Sequence, residues 1–269
     1  MRYGFAFDGD EENLLELAQE AEAAGWDGVF VPDDWGSSWI RLTAIAMHTE
    51  RIRLGTMLTA LPQHHPWTVA AQAATLDHVS NGRVILTVGL GVLEMDKVGL
   101  RDNATRAQML DEGLEILDRW WQGEPMSSFT HHGRFYHLEE MPTQTTWDVS
   151  SWTTHVPLQR PRIPIWVVGG EKRSQIRRAA RWDGALIAAS PEEIRQRKTL
   201  IEAQRVAPAP LEIIAGDETS GEDPRQATAI VRPYVQAGVT WWIESRWQRK
   251  AEVLPRIRQG PPHLDASSE

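Results

Sequence analysis

Short apolar runs alternate along the chain with stretches in which apolar residues return every three or four positions. The first kind reads as β-strand and the second as amphipathic helix. Residues 3–7 predict the first strand. EENLLELAQEAEAAG predicts the first helix, with Leu14, Leu17, Ala18 and Ala21 on one stripe and Gly25 as its stop. DGVFVP is a second strand and residues 39–49 a short helix. RIRLGTMLTAL predicts the third strand, WTVAAQAATLDHVS a helix entered through Pro66 and closed at Asn81-Gly82, and RVILTVGL the fourth strand. A helix over residues 105–121 carries Leu110, Leu114, Leu117 and Trp121 on one face. After an irregular stretch the alternation resumes with IPIWVVGG, a helix in SQIRRAARW, DGALIAA, a helix in PEEIRQRKTLIEAQR, LEIIAG, a helix in DPRQATAIVRPYVQAG, and TWWIES.

Eight strand-helix units predict an α/β fold, a (β/α)8 TIM barrel with an insertion between the fourth helix and the fifth strand. A doubly wound parallel sheet is the alternative. The insertion spans residues 122–161, with a hairpin at FTHHGRFYHL and a polar, Trp- and Thr-rich remainder. Insertions of this length inside a domain serve as lids or binding loops. Residues 1–269 read as one domain, with 260–269 a frayed tail.

Composition narrows the functions. The chain has 269 residues, which suits one α/β barrel. A net charge of −9 argues against a broad electrostatic grip on nucleic acid or an anionic membrane. There are no cysteines, so disulfides, thiolate metal sites and cysteine nucleophiles are excluded. No signal sequence or membrane-spanning run is evident, so a cytoplasmic protein is expected. Tryptophan is in excess at 13 residues, and Trp35, Trp39, Trp67, Trp241, Trp242 and Trp247 fall near strand ends, where together they would line one aromatic mouth.

The candidate polar groups also fall at the carboxyl ends of the strands, where barrels place active sites. They are Asp33 and Asp34, Thr59 and His64, Glu94, the segment from Glu171 to Ser174, and Glu244 to Arg246. Asp33 and Asp34 read either as a general acid-base pair or as a helix cap. His64-His65 and His131-His132 read as loop histidines rather than metal ligands, because neighbours in an extended segment diverge and no acidic third ligand is at ligand spacing. No metal is expected. Gly89-Leu90-Gly91 is not the start of a Rossmann fingerprint: Glu94 stands where the third glycine would be, and it would repel a pyrophosphate.

RIRLGTMLTALPQHHPWTVAAQAATLDHVSNGRVILTVGLG resembles the luciferase-like flavin-dependent oxidoreductases and monooxygenases. AEAAGWDGVFV, MLDEGLEILDRWWQGEPMSSFTHHGRFY, QRPRIPIWVVGG and RRAARWDG agree in the expected order. The resemblance implies a barrel that binds FMN, or alternatively the deazaflavin F420, at the carboxyl ends of its strands. Met57, Leu58, Thr59, Gly89, Leu90 and Gly91 would then contact the isoalloxazine, with a non-proline cis peptide at or next to Met57–Leu58. Asp33, Asp34 and His64 are the catalytic candidates. Asp34 matches a position where many relatives have histidine, and Val92 stands where the deazaflavin sugar dehydrogenases read glutamate. The cofactor phosphate is expected at Gly169, Gly170, Lys172, Arg173 and Ser174, since the later GDETSGEDP loop would repel it and Arg246 offers only a single charge.

The implied activity is an FMN-dependent monooxygenase acting on an apolar small molecule with reduced flavin and oxygen. A flavin reductase is an expected partner, and a homodimer is expected. F420-dependent hydride transfer is the alternative within the enzymes, and a non-catalytic flavin-binding barrel the alternative outside them.

Overall fold

The apolar runs do form strands, and they close on one another. A computed structural model of the chain describes residues 1–8, 12–33, 36–92, 99, 102–140, 153–205, 209–247 and 249–262. Its strands are β1 (Arg2–Ala6), β2 (Gly28–Val31), β3 (Arg53–Thr56), β4 (Thr59–Ala60), β5 (Val84–Gly89), β6 (His131–His132), β7 (His137–Leu138), β8 (Ile165–Val168), β9 (Gly184–Leu186), β10 (Glu212–Asp217) and β11 (Trp241–Ser245). Eight of them pair in parallel in the order β1-β2-β3-β5-β8-β9-β10-β11, and β11 returns to β1 with Phe5 opposite Glu244. This is a TIM barrel.

The helices are α1 (Leu14–Ala23), α2 (Ser37–His48), α3 (Pro66–Val79), α4 (Asn103–Trp120), α5 (Arg173–Arg181), α6 (Pro191–Glu202), α7 (Pro224–Gln236) and α8 (Lys250–Arg258). The stripe read in α1 is the buried one, Leu14, Leu17, Ala18 and Ala21. Helix α4 begins two residues earlier than its apolar period suggests, because Asp102 caps it and accepts from the backbone N–H groups of Ala104 and Thr105, each at 2.9 Å. Among the described residues no helix is long and apolar enough to cross a membrane.

The third strand departs from the expectation of one continuous run. It is split into β3 and β4, with the Met57–Leu58 peptide cis between them, as the resemblance implies. Strand β4 pairs alongside β5, with Thr59 opposite Val88 and Ala60 opposite Gly89.

Alternation along each strand separates two cores. Val29, Val31, Leu54, Leu86, Val88, Ile165 and Val167 face the helices. Ala6, Phe30, Ile85, Trp166, Ile214, Trp241 and Ile243 fill the lumen. Phe30, Trp166 and Trp241 are in mutual contact there, with ring centroids 5.2 to 6.2 Å apart. Burying a side chain such as Phe30 contributes about 1.5–3 kcal/mol. Below these rings Arg2 pairs with Glu212 and lies 5.0 Å over the Trp241 ring. Arg53 donates to the Gln159 side chain at 3.3 Å, and Gln159 in turn donates to Asp77 and to the Val84 carbonyl, each at 2.8 Å. The amino-terminal end of the barrel is corked.

Tryptophan does not gather at the mouth. Trp241 is in the lumen, Trp242 packs on Tyr234 of α7 at 5.1 Å, and Trp39 is buried on α2, while Trp247 is partly exposed. Of the six tryptophans singled out in the sequence, Trp67 alone among the described residues lines a cavity beside the mouth, and Trp35 lies outside the described residues.

Candidate active site

The carboxyl end of the barrel is built from residues that continue the lumen-facing alternation. Met57 and Leu186 pack on the lumen core. Thr87 lies opposite Trp166, Val168 opposite Leu186 and Ser245 opposite Ala6, so all three face inward in register. Gly89 sits between Leu58 and Val168. A Cβ there would lie 3.0 Å from Leu58 and 3.1 Å from Val168, so only glycine keeps the floor of the mouth flat. Gly91 has φ +71°, and a side chain on it would meet Ala60 at 2.6 Å. Leu58 and Leu90 are half-buried at the rim. The Thr87 hydroxyl is buried and has no hydrogen-bond partner among the described residues.

Thr59 does not join this mouth. It is fully buried on the helix-facing side, and its hydroxyl bonds to that of Thr56 at 2.7 Å. The break at residues 57–58 moves the alternation by one place, so Ala60 rather than Thr59 takes the inward position opposite Gly89.

Asp33 and His64, thirty-one residues apart, meet beside the mouth. Asp33 follows β2, with its side chain 3% exposed. It accepts from the Ser38 hydroxyl at 3.2 Å, the Ala60 backbone N–H at 3.2 Å and His64 Nε2 at 2.8 Å. Asp33 is not the cap of α2; Gly36 occupies that position. An ionised carboxylate can only accept, so a charged Asp33 places the proton of a neutral His64 on Nε2 and the lone pair on Nδ1. His64 ends the 3-10 turn Leu61–Gln63 and is 22% exposed. The geometry offers an oriented imidazole backed by a buried carboxylate, an arrangement suited to proton transfer. Asp34, its expected companion, and Glu94 lie outside the described residues.

The exit of β8 only partly matches the expected phosphate site. The Gly169 N–H is not free, since it donates to the Leu186 carbonyl at 2.8 Å and prolongs the sheet. The Lys172 N–H is also engaged, by the Gln175 side chain at 3.2 Å. Gly170 is half-buried, Lys172, Arg173 and Ser174 are exposed, and the first turn of α5 directs the N–H groups of Arg173 and Ser174 outward. Glu171 is turned away and held by Arg197 at 2.7 Å. Arg246 is spent elsewhere, on Glu218 at 2.8 Å, Glu244 at 3.3 Å and the Thr219 carbonyl at 2.6 Å.

On the β5 side of the mouth a cavity of about 490 Å³ opens between the 3-10 turn, α4 and the β6–β7 hairpin. His64 and Trp67 line it, with Phe135, Tyr136 and His137 from the hairpin and Arg106 from α4. Sequence reading passed over Arg106. The signal was present, because Arg106 stands one turn before Leu110, Leu114 and Leu117 on the buried stripe of α4. A charge on an apolar stripe is seldom buried without a purpose.

The hairpin itself hangs on Glu112 of α4. Its carboxylate accepts from the backbone N–H groups of Arg134 at 3.2 Å, Phe135 at 3.1 Å and Tyr136 at 2.9 Å, and from the His131 ring at 3.1 Å. The reading of His131 as a solvated loop histidine is therefore corrected. Burial works against the charge on Glu112, but the N–H groups of Tyr136 and Phe135 with His131 outweigh it and hold the carboxyl below its usual range. A lowered folded value means that this support is complete above the ordinary carboxylate range and is lost as pH falls through the lower folded one. Amide exchange over residues 131–138 should therefore quicken at acid pH. Glu112→Gln should quicken it at neutral pH, by a local loss of about 1.5–3 kcal/mol. Unchanged exchange in that variant would show that the hairpin is held by other contacts.

A family model described as luciferase-like monooxygenase matches residues 8–260. The oxygenase component of the flavin-dependent trigonelline monooxygenase of Acinetobacter baylyi is 25% identical over 173 residues, 61% of this chain and 44% of that protein. The F420-dependent glucose-6-phosphate dehydrogenase of Microbacterium testaceum is 31% identical over 159 residues, 52% of this chain and 46% of that protein. The chain thus spans less than half the length of either curated relative. In overall fold it is similar to the monooxygenase RslO1 of Streptomyces bottropensis, with a TM-score of 0.77 at 17% identity over 96% of this chain and 97% of that one.

Proposed function

The chain belongs to the luciferase-like monooxygenase family, and on that premise we propose that it is a flavin-dependent oxidoreductase, an FMN-using monooxygenase that oxidises a small molecule with reduced flavin and oxygen. Bound at the mouth, the flavin supplies the redox chemistry, while the barrel seats it and excludes water. The observation that carries this reading is a flat, glycine-floored cradle beside the oriented Asp33–His64 pair.

The residues present fit such a group. Gly89 and Gly91 leave the floor open to a planar ring, with Met57, Leu58 and Leu90 as its apolar walls. The Thr87 hydroxyl, without a partner among the described residues, supplies one polar contact in an otherwise apolar seat. Gly170, Arg173 and Ser174 would receive the phosphate, with Lys172 adding charge. His64 holds or moves a proton through Nδ1, and Asp33 positions its ring. The relatives include both flavin-dependent and F420-dependent enzymes. FMN is preferred because Val92 stands where a glutamate would favour the deazaflavin reading. A flavin reductase would deliver the reduced cofactor.

The mass and absorption spectrum of the cofactor that copurifies test the reading directly. FMN supports it, and F420 would replace it with hydride transfer. Failure of the purified protein to retain or take up either would overturn both. Gly170→Asp sharpens the test, because the nearest atoms to the new side chain are the end of the Gln175 side chain, at 2.3 Å, and it puts an anion where the phosphate belongs. It should weaken FMN about a hundredfold but riboflavin little. Equal loss of both would move the phosphate elsewhere.

A further inference from the structure

We propose that the β6–β7 hairpin is a lid over the cavity beside the mouth, and that Glu112 of α4 is the latch whose release sets the rate at which ligands pass in and out. The hairpin is too small to stand by itself. It pairs His131 with Leu138 and His132 with His137, and an isolated hairpin is marginal in water even when longer. Its incoming strand is fixed as far as Thr130: Phe129 is buried against Trp120 at 4.9 Å, and Arg119 donates to the Thr130 carbonyl at 2.9 Å. Past that point three successive backbone N–H groups, those of Arg134, Phe135 and Tyr136, end on the Glu112 carboxylate together with the His131 ring. The turn wraps the carboxylate so closely that a side chain on Gly133 would collide with a Glu112 oxygen. Gln108, one turn earlier on α4, adds a bond to the Arg134 guanidinium at 2.6 Å. Phe135 and Leu138 are half-buried. Bonds that converge on one charged group are lost together when that group lets go.

The same turn closes the cavity. Phe135, Tyr136 and His137 line its hairpin side, across from His64, His65 and Trp67. Tyr136, 7% exposed, meets Trp67 edge-on with ring centroids 6.2 Å apart, and Trp67 stacks on His65 at 4.9 Å. Phe135 and Tyr136 therefore give their N–H groups to the latch and their side chains to the cavity wall. Swinging the turn away from α4 about Thr130 parts Tyr136 from Trp67 and widens the way to His64. The device is kinetic: a ligand held behind the closed hairpin leaves as fast as Glu112 releases it. Calling that ligand a flavin or a flavin enzyme's substrate rests on the oxidoreductase reading above; the latch itself does not.

The chain has no cysteine, so an introduced thiol reports on its own position. Met109, three residues before Glu112, lines the same cavity and is 6% exposed. At neutral pH, labelling of Met109→Cys by N-ethylmaleimide should quicken at least about tenfold when Glu112→Gln is added. Ala180→Cys, at a buried position on α5, is the control and should label at one rate in both backgrounds. A second arm holds the lid shut. Gln108→Cys and Arg134→Cys, joined by a reducible bis-methanethiosulfonate linker, tie the hairpin to α4. FMN association and release, followed by stopped-flow fluorescence, should then both slow at least about tenfold while affinity stays within about threefold. Reducing the linker should restore both rates. The proposal is overturned if Glu112→Gln leaves Met109→Cys labelling unchanged or quickens the control equally. It is also overturned if the linked protein exchanges FMN at its former rates, or with one rate altered and the other not. Should Glu112→Gln fail to fold, the linked protein decides. If the protein takes up no flavin, the labelling arm decides the lid and the flavin reading falls separately.

Discussion

Replacing His64 by alanine is expected to slow turnover about a hundredfold to ten-thousandfold, the range associated with losing a positioned acid or base. Flavin affinity should stay within about twofold, because the proposed cradle uses Met57, Leu58, Gly89 and Leu90 and not the imidazole. The companion change Asp33→Asn removes the acceptor that holds Nε2–H while nearly preserving shape. Asp33 also accepts from Ser38 and the Ala60 N–H, so its replacement should loosen the junction of β2 and β4 as well. The two roles separate in a double-mutant cycle. If Asp33 acts through His64, the loss in the double variant will fall well short of the sum of the single losses. Full additivity in rate would mean that Asp33 and His64 act independently, and unchanged turnover in His64→Ala would return His64 to the status of a surface residue.

Glu244→Ala is expected to cost about 3–5 kcal/mol of stability, enough to remove much of a typical folding free energy. Glu244 is fully buried on the helix-facing side of β11. It accepts from the Thr219 N–H at 2.8 Å and the Thr219 hydroxyl at 2.6 Å, with Arg246 at 3.3 Å and Arg256 at 3.5 Å. Truncation would leave two buried guanidinium groups facing a cavity. Glu244→Gln, which retains the volume and a carbonyl acceptor, should cost less. Urea midpoints of the two variants check the prediction. A midpoint unchanged in Glu244→Ala would mean that Glu218 and Glu252 suffice for Arg246, and the carbonyls of Thr219 and Gly260 for Arg256.

What the sequence disclosed and what it concealed divide along physical lines. The α1 stripe was legible because helix period and burial are the same fact there. The barrel followed from repetition. Asp33 and His64 were each legible as candidates, but their pairing was not, because it depends on closing the β2 and β3 exits side by side. Thr59 was misplaced for a local reason: alternation counted through an unbroken strand puts residue 59 with 53, 55 and 57, and the break after Met57 reverses it. Gly169 was misjudged because a glycine pair does not say where sheet pairing stops. Arg106 was readable in principle, as the one cation on the apolar face of α4, but only the structure reveals that its nitrogens are idle.

The corked end of the barrel has a kinetic consequence. With Phe30, Trp166 and Trp241 filling the lumen above the Arg2–Glu212 and Arg53–Gln159 contacts, the described residues close that end of the barrel. Whatever enters beside His64 must leave by the same opening. Spent product and fresh reactant therefore queue at a single threshold, and each excludes the other while it occupies it. Product should behave as a competitive inhibitor toward substrate, and a bulky product that lingers under the β6–β7 hairpin should set the pace of the whole cycle.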